Sequence, residues 1–462
     1  MHLLVLLLLA AWSVGVGSGI SGNSISIESG DASDSEMEAF EIASAEIEAT
    51  EAQAVTEAES LVSSPAQIER MASEVREMNS DETDVEEMTS DLVSLSAMAG
   101  GGGGITGVQM SLSGRSAENR ERLVKENGGS PESERAVELA LAYLAQHQLN
   151  DGAWSMMYSE SCDGQCTPSC SGRDPYRYAA TGLALLCFLG AGKTSDDEQY
   201  GLIVSKGVYF LQQNLRSKSD SAYWLGTEAG AQMYEHGIAT LALCEAYQMM
   251  RSAELKDSCQ LAINFIVLAQ FKDGGWDYHP GSPGDLSIAG WQAMALKSAV
   301  SAKLTVPTEA LRGIDRFLDK TRAGEFMFKY RTSKPTKSMT AIGVLLQIFR
   351  GRSKDARGIE RGIQYLAKQG PSLNDLYYDY YATQAMFQIG GNLWKNWNYK
   401  MRDHLVRSQV ATGHMQGSWT FEDDHSNRVG GRFYATCMAC LILEVYYRYL
   451  PVYRESGNDF QF

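Results

Sequence analysis

The chain has 462 residues, 57 of them acidic and 40 basic, for a net charge of −17. Most of that charge is local: residues 21–100 hold 20 Asp/Glu against 2 Arg, so the remainder is near neutral. A neutral body without a basic stripe excludes a nucleic-acid-binding surface, and the length leaves room for a sizeable core.

Residues 2–17 form an apolar run followed by Gly17-Ser18-Gly19. The run is shorter than the roughly 20 residues a spanning helix needs, so residues 1–19 read as a signal peptide, with an uncleaved N-terminal anchor as the alternative. The protein is therefore expected to be exported, periplasmic or extracellular. No later segment is long and apolar enough to cross a membrane. Residues 20–129 are rich in Ser, Glu and Gly, and residues 21–100 hold a single aromatic, Phe40. Such a segment cannot bury enough apolar surface to offset its ordering entropy, and a disordered acidic linker is expected.

From residue 130 to 454 two kinds of helix alternate. One carries an aromatic–aliphatic pair near its end: Tyr143-Leu144, Phe210-Leu211, Phe265-Ile266, Phe317-Leu318, Tyr365-Leu366, and at the last His404-Leu405. Charges on these helices predict one wet face. The other kind is small and apolar throughout, anchored at Ala180, Ala239, Ala289, Thr340, Ala382 and Ala435. Small residues with almost no charge predict burial nearly all round. Six helices of each kind in strict alternation predict an all-α fold, an α6/α6 toroid of two concentric rings, because an open solenoid would need polar faces on both kinds. Residues 455–462 read as a flexible tail.

Between helix pairs recurs Gln-x-x-x-Gly-x-Trp, complete at Gln148–Trp154 and Gln270–Trp276, stretched at Gln409…Gly417-Ser-Trp419, and degenerate at Gly324-Glu-Phe326. This resembles the QW repeat of squalene cyclases and, more loosely, of protein prenyltransferase β subunits, over roughly residues 130–453. The motif residues read as structural staples. Gly permits the turn, Trp packs flat, and the Gln amide bridges backbone ends.

The resemblance implies a cavity whose rim is formed by the N-terminal ends of the inner helices, and an isoprenoid or other apolar small molecule as ligand. Asp285-Leu-Ser287 lacks the paired carboxylates of the cyclase Asp-rich motif and the thiolate of the prenyltransferase zinc site, so the sequence leaves catalysis open. The rim residues that remain are His236, Asp285 and Asp379 as candidate acids or bases, each also a normal helix-capping type. Trp291, Tyr178, Tyr380, Tyr381 and Tyr434 are candidates for lining an aromatic pocket. Arg177, Arg428 and Arg432 are candidates for holding an anionic head group, or for pairing with nearby acids. Two other classes stay open: a non-catalytic binding or scaffold toroid, favoured if Trp291 and the Tyr377–Tyr381 run fill the cavity, and a carbohydrate-active α6/α6 enzyme, which needs two opposed carboxylates. No cofactor is implied. Cys162, Cys166 and Cys170 sit in one polar loop, where disulfides, with the odd thiol left for Cys187 or another partner, are weighed above a metal site and no metal ligand set is assigned. Cys244, Cys259, Cys437 and Cys440 read as small core hydrophobes.

Overall fold

In the computed structural model the described residues are 114–449, apart from 163, 167–170, 228–231, 332 and 422–424. The expected signal segment, most of the acidic linker, the tail and Cys170 lie outside them.

The first helix, α1 (Ala117–Asn127), falls where linker is expected. Its only apolar pair is Leu123-Val124, so it has no stripe that periodicity could find. It is held by polar contacts instead. Arg120 bonds Glu134 at 2.6 Å and the Ala191 carbonyl at 3.2 Å, and lies over the Tyr447 ring.

Six hairpins follow, each an outer helix then an inner one. The outer helices are α2 (Pro131–Gln146), α4 (Gly201–Gln213), α6 (Ala253–Ala269), α8 (Thr308–Thr321), α10 (Arg357–Gln369) and α12 (Gly391–Ser408). They bury one stripe only, as with Leu311, Ile314, Phe317 and Leu318 on α8, and leave their charged faces wet. The inner helices are α3 (Arg177–Gly190), α5 (Gln232–Met250), α7 (Leu286–Ser301), α9 (Lys337–Phe349), α11 (Leu376–Ile389) and α13 (His425–Leu443), which bends at Gly431. On α3 every residue but Arg177 is buried. Each inner helix packs on the next, and α13 returns against α3, so the ring closes. A last turn, α14 (Val445–Arg448), packs on α1 and α11. Among the described residues no helix is long and apolar enough to cross a membrane.

Two antiparallel sheets stand where the motif is missing or degenerate. The hairpin of β1 (Arg216–Ser219) and β2 (Ala222–Trp224) enters α5, and β3 (Arg322–Ala323), β4 (Met327–Lys329) and β5 (Pro335–Thr336) form a sheet in the order β3-β4-β5 before α9.

Candidate functional site

The repeat motif builds the same staple three times. Gln148 Nε2 donates to the Gly152 and Ile203 carbonyls, both at 2.9 Å, while Trp154 Nε1 donates to the Leu144 carbonyl at 2.7 Å. Gln270 and Trp276 repeat this on Gly274, Ala310 and Ile266. Gln409 and Trp419 repeat it on Gly417, Ala136 and Leu405, which ties the last hairpin to the first. Gly274 has φ 87°, and a Cβ there would lie 1.9 Å from the Gly313 carbonyl oxygen, so only glycine fits so close to the next outer helix. Thr of the inner anchors accepts from the backbone N–H of the motif Trp that precedes it: Trp154 N–H meets Thr181 Oγ1 at 3.0 Å and Trp419 N–H meets Thr436 Oγ1 at 3.1 Å. In the degenerate repeat Phe328, not Phe326, makes that bond, to Thr340 at 3.2 Å, because the β3–β4 turn lengthens the approach.

His236 plays a comparable part in the second repeat. It is fully buried, its Nδ1 accepts from Leu225 N–H at 3.1 Å, and its Nε2 stands 3.0 Å from the Ala262 carbonyl, which fixes the proton on Nε2. Burial lowers its pKa to about 4. Asp379 is also buried and accepts from Ser372 N–H at 2.7 Å and Leu373 N–H at 2.9 Å, closing the loop before α11, and burial pushes it up to about 8 against those bonds.

Asp285 caps α7. Its Oδ1 accepts from Ser287 N–H at 2.7 Å and Ser287 Oγ at 2.6 Å, and Arg331 Nε stands 3.5 Å from Oδ2. Arg331 also pairs with Asp277. The carboxyl is completely buried, and burial raises its pKa to about 6 against the pull of Ser287, Tyr330 and Arg331. Ser287 in turn accepts from Tyr234 Oη at 2.6 Å, and its carbonyl accepts from Tyr377 Oη at 3.0 Å. Tyr278 and Tyr330 hydroxyls meet at 3.2 Å, and Tyr278 packs edge-on against Tyr234.

Six half-buried tyrosines thus stand around the end of the ring where the inner helices begin: Tyr176, Tyr234, Tyr278, Tyr330, Tyr377 and Tyr434, one from each hairpin. Of these, Tyr434 and Tyr377, the latter within the Tyr377–Tyr381 run, are aromatic candidates from the sequence, and Tyr176 and Tyr234 fall in the stretches just before the anchors. Their offsets from the anchors vary, because Tyr176, Tyr234 and Tyr377 lie at helix starts, Tyr278 and Tyr330 on loops and Tyr434 past the bend of α13, so no fixed spacing marks them.

The aromatic candidates below this crown are packed. Trp291 on α7 stacks on Tyr380 of α11 at 5.6 Å and meets Tyr381 edge-on at 6.0 Å, reaching past α9 across the interior, and none of the three exceeds 1% exposure. Tyr178 is buried, stacked on Phe210 and bonded through its hydroxyl to Arg216. The arginines do not converge. Arg177 pairs with Asp151 over the Phe210 ring, and Arg432 is buried against Ser418 Oγ at 3.1 Å. The Arg428 side chain lies outside the described residues.

The cysteine loop also differs from expectation. Cys166 and Cys187 are free thiols, while Cys170 lies outside the described residues. Cys187 is buried on α3 against the Cys437 carbonyl, and Cys162 and Cys166 lie beside His147 and His414.

No protein-family profile matches the chain, and no curated protein matches it in sequence. Solved structures do resemble it in shape. One is described as a novel alpha-amylase from Clostridium perfringens, with 12% identity, 68% of this chain and 97% of that one covered, and a TM-score of 0.47. Another is a variant of the type II terpene cyclase MstE from Scytonema with its product merosterolic acid A, with 12% identity, 70% and 98% covered, and a TM-score of 0.45. A third is a glycosidase variant, with 11% identity, 69% and 98% covered, and a TM-score of 0.44. The toroid rests on the closed ring of helices itself, and these likenesses add no activity to it: the chain is an α/α toroid.

Proposed function

We propose that this protein is a binding toroid that takes its ligand at the tyrosine crown and does not transform a long-chain substrate in a central bore. The observation behind this reading is the contrast in accessibility at that end. Asp285, Asp379 and His236 are fully buried and each already accepts hydrogen bonds, Asp285 through Oδ1 alone, whereas the six tyrosines are only half-buried. Asp285 then serves as a positioning group, holding Ser287 and through it the hydroxyl of Tyr234. An isoprenoid cyclase or transferase would need apolar depth along the axis, and the Trp291–Tyr380 stack occupies that place. A tyrosine offers a flat apolar face and a hydroxyl that both donates and accepts. A sugar ring offers the matching pattern, so a carbohydrate is the proposed ligand class.

The test is titration of the full chain with neutral oligosaccharides and with isoprenoid alcohols and diphosphates, followed by recovery of each compound. The expected result is saturable oligosaccharide binding, weakened about 10-fold or more in Tyr234→Ala and Tyr377→Ala, with the sugar recovered unchanged. Conversion of any compound that Asp285→Asn abolishes would overturn the reading, as would binding confined to isoprenoids.

A further inference from the structure

The joint between the last hairpin and the first carries a group of side chains outside the crown. His147, Cys162, Cys166 and His414 place their ligand atoms all within 4.8 Å of one another. Three separate pieces of chain deliver them. His147 follows α2, immediately before Gln148 of the first motif, where the third repeat has Ala269 before Gln270. Cys162 and Cys166 stand on the loop leading to α3. His414 stands in the stretch that lengthens the last motif, since Gln148 and Gly152 are four residues apart but Gln409 and Gly417 are eight.

The local bonds orient the group as a ligand set. His147 Nδ1 lies 2.7 Å from the Tyr143 carbonyl, which can only accept, so the ring proton sits on Nδ1. The Nε2 lone pair is left facing Cys166 Sγ at 3.1 Å. A backbone carbonyl on the far ring nitrogen is the usual second shell of a metal-bound histidine. His414 Nε2 is buried with no hydrogen-bond partner. A tetrahedral zinc ion, with Zn–S near ~2.3 Å and Zn–N near ~2.1 Å, spaces its ligand atoms about 3.3–3.8 Å apart. The observed group meets that with small shifts: the His147–Cys166 pair at 3.1 Å opens slightly and the wider separations, up to 4.8 Å, close.

We propose that His147, Cys162, Cys166 and His414 form a structural zinc site that clamps the last repeat to the first. On binding, each thiol loses its proton to solvent, two protons leave per zinc, and two thiolates with two neutral imidazoles balance the 2+ charge in a buried place. Soft thiolates with imidazoles select zinc over magnesium or calcium, and four protein ligands leave no open position for catalysis. The site binds no ligand of the crown and stands or falls apart from that reading.

The experiment is elemental analysis of the full chain purified without chelators, then cobalt exchange followed by visible absorption. One zinc per chain is expected, with a thiolate-to-cobalt charge-transfer band and the intense d–d bands of a tetrahedral site. His414→Ala should weaken metal retention against a competing chelator more than ~100-fold, since loss of a second-shell partner alone costs 10–100-fold. His414→Cys should keep the metal and strengthen the charge-transfer band. Wild-type protein without stoichiometric metal, or with a Cys162–Cys166 disulfide found by peptide mapping under non-reducing conditions, overturns the proposal without recourse to any variant.

Discussion

The two ends of the ring solve opposite problems. Where the inner helices begin, their free N–H groups are met by short acceptors, Asp285 on α7, Asp375 on α11 and Thr336 on α9, and the rim is finished with neutral tyrosines. Where they end, exposed carbonyls would face one another across the axis. There Arg115 donates to the Leu189 carbonyl at 3.3 Å and Arg448 to the Leu186 carbonyl at 2.8 Å, both at the C-terminal end of α3. The guanidinium charge also complements the negative end of the helix dipole. Glu245 bridges Arg115 at 3.0 Å and Arg448 at 2.9 Å, and Glu444 lies 3.5 Å from Arg448. Burial raises Glu444 to about 8, while the two arginines hold Glu245 below the ordinary carboxylate range despite its burial. One end is thus closed by charge and the other left partly open by hydroxyls. The polarity of the helices decides which is which.

The contrast can be broken most severely at the charged end. Arg448→Met leaves Glu245 and Glu444 buried with their main partner gone, and should cost roughly 3–5 kcal/mol in chemical denaturation. A loss under about 1 kcal/mol would mean that water reaches the cluster and that the end is not sealed. At the crown the largest effect is a pH dependence. Asp285 has a folded pKa of about 6 against an unfolded value of 3.8, so the folded state holds the proton more tightly. Its unfavourable contribution is absent below about pH 4, grows as pH rises through the window, and is complete above about pH 6, at roughly 3 kcal/mol for two units. Asp285→Asn should therefore gain stability relative to the wild type from pH 4 to pH 7 by up to about that amount. A difference that stays flat with pH would place the carboxyl in solvent. Smallest is the repeat staple: Gln270→Ala loses bonds to the Gly274 and Ala310 carbonyls and should cost about 1–2 kcal/mol by the same denaturation measurement. Equality with an exposed-site control would show those carbonyls to be hydrated.

How much of this was legible in the sequence follows from what repeats. All six aromatic–aliphatic pairs fall on outer helices and all six anchors on inner ones, because the two helix faces differ in burial along their whole length. The Gln and Trp staples were readable for the same reason. The features that were missed have no period. Helix α1 is held by Arg120 and Asn127 and not by an apolar stripe. The crown comes from tyrosines at unequal registers, with Tyr234 and Tyr377 alone sharing one. The group at His147 and His414 joins opposite ends of the toroid sequence, and a cysteine trio in a polar loop gave no hint of His414 so far along the chain. Phe328 displaced Phe326 because a strand turn, invisible as a motif, changed the register by two.

The bond from Gln409 to the Ala136 carbonyl spans 273 residues, whereas the equivalent from Gln270 to Ala310 spans 40. Chemically the two are alike, but kinetically they are not. Loop-closure entropy scales with the logarithm of the span, so the long one costs about 1.7 kcal/mol more to form from an open chain. Folding of such a ring should proceed through local hairpins that stack in order, with the joint closing last. Stripped of metal by a chelator, the same joint is then the place where native-state hydrogen exchange should first reveal opening, a hinge line set by connectivity although its staple matches those elsewhere in the circle.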